Sequence, residues 1–184
     1  MATAPDDTTT PPSAPSARTT VGAPLDEVWA VVSDPRTYPQ WLVGARQIRA
    51  VDDRWPDPGT SFHHTIGWAP LRLRDRTDVV SVDAPHQLVL RPHLSVLGTA
   101  TVTIGLQPDG EGGTVVEISE APHAGVIGRL WHVGARNLVR VGLWGRNTKS
   151  LQQLEVGVED GTIVGRPAGH TPSNASPDGA TLSG

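Results

Sequence analysis

The sequence predicts an α+β fold: a seven-stranded antiparallel sheet, two short helices after its first strand, and one long C-terminal helix. Three observations carry that prediction. Seven segments rich in apolar and β-branched residues are separated by turn signals and short connections. Short connections force antiparallel neighbours, because a parallel crossover needs about a dozen residues or more. A helical pattern interrupts the strand signals between residues 23 and 42, and after Pro122 the apolar spacing changes from every second residue to every third or fourth.

The first strand covers residues 18–22. In the run APLDEVWAVVSDPRTYPQWL that follows, Val28, Val31 and Val32 recur at helical spacing, with Trp29 adding bulk beside them. Pro24 suits the first turn of that helix, where its missing N–H is not needed. Asp26 and Glu27 complement the positive end of the helix dipole. Asp34-Pro35 ends the helix, since a residue before proline is pushed out of the α region. A second short helix or turn then brings Tyr38 and Trp41 inward. Trp29 and Trp41 are expected to be buried.

The next strand is residues 46–51, followed by the turn DDRWPDPG, in which Trp55 is expected to tolerate substitution. Further strands span 60–68, 71–82, 86–94, 97–106 and, after the PDGEGG hairpin loop, 114–120. Alternation assigns their faces. Arg72, Arg74 and Arg76 share one face of their strand, and an all-arginine face belongs in solvent. Leu71, Leu73, Asp75, Thr77 and Val79 therefore point inward. In the preceding strand Phe62, His64, Ile66 and Trp68 form the inner set, leaving Ser61, His63 and Thr65 outside. Ala100, Val102, Ile104, Leu106, Val116 and Ile118 point in by the same logic, with Glu120 near a rim. A buried polar group needs a partner, and an internal His64 opposite Asp75 supplies one.

From about residue 124 to 156, Ile127, Leu130, Trp131, Gly134, Leu138 and Val141 form one stripe, with Arg129, His132, Arg136 and Arg140 opposite. A helix of that span is roughly 50 Å long at about 1.5 Å per residue. Gly134, Gly142 and Gly145 fall on the same side as Ile127 and Leu138. Each costs about 1 kcal/mol relative to alanine in a helix interior. Small residues there fit either close helix–sheet packing or space between helix and sheet.

Composition bounds the function. The 184 residues suit one domain, residues 18–156, with a tail at each end. Residues 1–17 and 157–184 carry too little apolar content to pack and are expected to be disordered. The first tail has neither the charged nor the apolar region of a signal peptide, so a cytoplasmic location is expected. No stretch approaches the roughly 20 apolar residues that span a bilayer. Cysteine is absent, which excludes disulfides and thiolate chemistry. A net charge of −4 argues against a nucleic-acid partner. No G-x-S-x-G, H-E-x-x-H, P-loop or dinucleotide fingerprint occurs, so no cofactor is expected. His63 and His64 point to opposite faces of one strand, and His93, His123 and His132 lack metal spacing, so no metal site is expected.

The APLDEVWAVVSDPRTYPQWL run, the antiparallel strands and the long last helix together resemble the START-like (SRPBCC) superfamily, in particular its polyketide cyclase/dehydrase branch, over about residues 18–156. The resemblance implies a helix-grip fold, in which two short helices and a long one grip a curved sheet around a ligand cavity. It implies a cavity lined by Tyr38, Trp41, Phe62, His64, Ile66, Trp68, Leu73, Asp75, Thr77, Val102, Ile104, Ile118, Trp131, Gly134, Leu138 and Asn147. It implies that the occupant is a hydrophobic or amphipathic small molecule, lipid-like or polyketide-like. The cyclases of this branch are marked by an aromatic residue beside the second helix, an inward arginine on a strand, and an asparagine on the last helix. Tyr38 and Asn147 look like the first and third. The inward strand positions hold Asp75 and Thr77 instead of an arginine, which departs from the pattern and leaves an enolate without its cation. Three readings follow: a binding protein, a cyclase- or dehydratase-like enzyme with His64, Asp75 and Asn147 as candidate catalytic groups, or a protein-interaction module of the same superfamily.

Overall fold

A computed structural model describes residues 16–66, 73–93, 98–123 and 136–166 of the chain. The elements in order are β1 (Ser16–Val21), α1 (Leu25–Ser33), a 3-10 turn (Pro35–Thr37) running into α2 (Tyr38–Trp41), β2 (Ala45–Val51), β3 (Ser61–Ile66), β4 (Leu73–Asp83), β5 (Gln87–His93), β6 (Ala100–Pro108), β7 (Thr114–Pro122) and α3 (Arg136–Glu159). The strands form one antiparallel sheet in the order β1-β7-β6-β5-β4-β3-β2, so β2 to β7 are a meander and β1 closes onto β7. The two edge strands are therefore consecutive in the chain, and α1 and α2 make the crossing between them. The curved sheet with its gripping helices is the helix-grip arrangement expected from the sequence.

Local chemistry explains the crossing. Asp26 and Glu27 lie in the first turn of α1, and Asp34 ends the helix in an extended conformation before Pro35. The Asp34 carboxylate then accepts the Arg36 backbone N–H at 3.0 Å, capping the 3-10 turn. Val28, Trp29, Val31 and Val32 are buried, as are Tyr38 and Trp41. Trp41 donates its indole N–H to Thr37 Oγ1 at 3.1 Å, which satisfies the polar end of a ring that is otherwise wholly enclosed.

Several elements depart from the expectation, each for a physical reason. The helical stripe read through Val141 does not continue: Val141 is 66% exposed and Gly142 and Gly145 face open space. The buried face of α3 instead runs through Asn147, Ser150, Leu151, Leu154 and Val158. Two polar residues on that face, and the apolar Val141, Trp144 and Val156 outside it, hide the true face from a hydropathy count. Packing also outlasts residue 156. Val158 and Ile163 belong to the core, and Gly165 lies so close to the Ala30 carbonyl that a Cβ there would overlap it. Trp55 is no bystander in its turn. Its indole N–H donates to the Ser33 carbonyl at 2.7 Å, and its ring meets Phe62 edge-on at 5.1 Å.

Candidate ligand-binding cavity

The inner face of the sheet is determined by the alternation in β3 and β4. Arg74 and Arg76 are exposed while Asp75 and Thr77 are buried, and His63 is exposed while His64 is buried. In the register His64 stands directly opposite Asp75, and Phe62 opposite Thr77. The His64 ring, however, does not bond to its cross-strand neighbour's carboxylate. Its Nε2 is hydrogen-bonded to the diagonal Thr77 Oγ1 at 3.0 Å. Burial lowers the His64 pKa to about 4, against an upward pull from Asp75, so the ring is neutral near pH 7.

Between this face and the helices lies a cavity of about 420 Å³. Of the residues singled out from the sequence, Tyr38, Trp41, Phe62, His64, Ile66, Thr77, Val102, Ile104 and Ile118 line it. Asp75 and Asn147 are buried but do not line it. Trp68, Trp131 and Gly134 lie outside the described residues, as do the side chains of Leu73 and Leu138. At the aromatic end Tyr38 meets Trp41 at 5.4 Å and Phe62 at 5.5 Å, both edge-on. The Tyr38 hydroxyl donates to the Val32 carbonyl at 2.9 Å, so its ring faces the cavity and its oxygen serves the fold. Burial, reinforced by Asp34, pushes that hydroxyl's pKa upward and keeps it protonated.

Sequence reasoning missed the charged part of the wall. Glu120, assigned to a rim, is buried and lines the cavity together with Arg146. Arg146 donates to Glu120 Oε1. Burial raises the Glu120 pKa and the arginine pulls it back. Arg146 stands on α3, one residue before Asn147. Helical spacing alone could have found it, because Leu143 and Arg146 share a side of α3 and both line the cavity. Asn147 is fully buried; its Oδ1 receives long contacts of 3.3 and 3.4 Å from Arg146, and its Nδ2 has no partner among the described residues. Ser150 secures the adjacent turn by accepting the Val43 N–H at 3.0 Å. Among the described residues no group of three or more histidines and carboxylates is placed to hold a metal, and no helix is long and apolar enough to cross a membrane.

A curved sheet closed by two short helices and a long one around an apolar hollow defines a helix-grip, Bet v1-like protein. The chain belongs to the family of polyketide cyclases/dehydrases and lipid transport proteins, which its sequence matches over residues 15–159. No curated protein matches the sequence. The fold is similar to that of StfQ, the di-domain ARO/CYC of the steffimycin biosynthetic pathway, at 14% identity and TM-score 0.60 over 82% of this chain. The chain spans 52% of the length of StfQ. It is also similar to protein NE0264 of Nitrosomonas europaea (21% identity, TM-score 0.59, 80% of this chain and 94% of that one). The third is Ara h 8.0201 (14% identity, TM-score 0.60, 79% and 96%).

Proposed function

We propose that this protein binds a hydrophobic or amphipathic small molecule, lipid-like or polyketide-like, inside the cavity. The observation that carries this reading is the hollow of about 420 Å³ with a largely apolar wall and a few convergent polar groups, the usual composition of a small-molecule site. Native mass spectrometry of the freshly purified protein tests it directly through a co-purified mass. Titration with Nile red, an uncharged apolar dye, tests it independently. Saturable binding at one site is expected, and Val102→Phe, which fills the hollow, should weaken it about tenfold with the fold intact. Absence of saturable binding refutes the reading.

A second reading, a cyclase- or dehydratase-like catalyst, is favoured by the polar set itself. His64 is neutral near pH 7 and thus able to accept a proton, and Arg146 offers a cation for a developing oxyanion. It also draws on the likeness in fold to StfQ, an ARO/CYC. Incubation with a poly-β-ketone thioester separates the two. Cyclisation by wild type but not by His64→Ala establishes catalysis, whereas unchanged ligand recovered from a saturable complex leaves binding alone.

A further inference from the structure

Resting on the reading of the cavity as a ligand site, we propose that it selects an uncharged amphipathic ligand. That ligand carries hydroxyl or carbonyl groups on an apolar frame and neither a carboxylate nor an ammonium group. The observation is the state of the charges in the wall. Among the described lining residues the charged side chains are Glu120 and Arg146, and they are bonded to each other. Glu120 is 5% exposed and Arg146 36% exposed, so the pair sits with its anion inside and its cation toward solvent. Among the other polar lining side chains, His64 bonds to Thr77 at 3.0 Å, Tyr38 donates to the Val32 carbonyl and Trp41 to Thr37 Oγ1.

A ligand carboxylate entering this hollow meets a guanidinium already committed. To claim it, the ligand must displace Glu120, and a buried carboxylate without its partner is strongly unfavourable. A ligand ammonium faces the mirror problem, with Arg146 as its competitor for Glu120. An uncharged hydroxyl or carbonyl needs neither exchange. The guanidinium keeps N–H donors beyond the one given to Glu120 Oε1, and a carboxylate accepts at its second oxygen as well. A neutral ligand can therefore bond to the pair without breaking it.

The experiment is displacement of Nile red from the full chain near neutral pH and at fixed ionic strength. Competitors of one chain length are compared: 1-decanol, decanoate and decyltrimethylammonium. Decanol should displace the dye at concentrations at least about tenfold below either ion. Either ion matching decanol overturns the proposal. Because ions are better hydrated than alcohols in any case, the deciding arm is Glu120→Gln, which removes the counter-charge at nearly constant shape. In that variant decanoate should gain about tenfold relative to decanol, the ratio of the two being the readout. A folded Glu120→Gln in which decanoate gains nothing overturns the proposal. If circular dichroism shows that variant unfolded, Glu120→Leu takes its place with the same expectation. Failure of Nile red to bind wild type refutes the ligand-binding reading itself, and charge-indifferent displacement refutes only the selection of uncharged ligands.

Discussion

Leu88 and Leu90 lie two residues apart on β5, on the same face of the same strand, and both are buried. One is packed and the other looks into a hollow. Leu88, like Leu106 and Val116, belongs to the close-packed half of the sheet's inner surface, while Leu90, Val102, Ile104 and Ile118 line the cavity. The alternation of the strands is the same in both halves and does not distinguish them. The difference arises from what crosses above them. α1 carries Val28, Trp29, Val31 and Val32 into the core, whereas on the cavity side the sheet faces Leu143 and Arg146 of α3. An apolar strand face becomes core or container according to the helix placed over it.

Matched truncations sharpen that contrast most. Leu88→Ala should cost about 2–5 kcal/mol, because it opens a void in a packed region. Leu90→Ala should cost about 2 kcal/mol, the transfer contribution alone, because the space beside it is already empty. Equal losses in denaturant melts would mean that the hollow is collapsed in solution.

Acid titration probes the container side next. The unfolded chain binds a proton on His64 near pH 6.5, while the folded chain does so only near pH 4. Stability should therefore fall as pH drops from about 6.5 to about 4 and the contribution should level off below, by up to about 3 kcal/mol. Glu120 acts with the opposite sign, since its raised pKa favours the folded state at low pH and that gain is lost as pH rises. The difference between wild type and His64→Gln isolates the histidine. A variant with the same pH profile as wild type would show that the ring is solvated.

Smaller effects are expected where the two halves meet. Trp55→Phe keeps the ring against Phe62 but loses the bond to the Ser33 carbonyl, and should cost about 1 kcal/mol. A loss several times larger would make this turn part of the packed half. Asn147→Leu removes an amide nitrogen buried without a partner among the described residues, and thermal melting should find it within about 1 kcal/mol of wild type. A stronger loss would assign Asn147 a bond that holds the pair Glu120–Arg146 in place.

The strand faces were legible because charge and apolarity alternate strictly there. The arginines at 74 and 76 exposed the orientation of Asp75 and Thr77, and Phe62 that of His64. The face of α3 was not legible. Its buried side carries Asn147, contacted by the adjacent Arg146, and Ser150, which accepts the Val43 N–H from 107 residues away. Its exposed side carries Val141 and Trp144, the latter 54% exposed. Hydropathy counts polarity, and it misreads a helix whose buried face carries polar residues. Glu120 was misplaced for the same reason: its counter-ion lies on α3, 26 residues downstream, where strand alternation has nothing to say.

The closure of β1 onto β7 has a consequence for the order of events during synthesis. Strands β2 to β7 pair with the neighbour made just before, so each hairpin can form as it leaves the ribosome. β1 is made first and waits for its strand partner until the last strand is complete. Thr19 then donates to the Glu155 carboxylate at 2.6 Å and the Gly22 N–H to Glu159 at 2.7 Å, contacts that span 136 and 137 residues. Such separations make the last joining the slow one, because loop closure precedes any reward from contact. Until β1 closes onto it, the nascent sheet has its β7 edge open to any other extended chain.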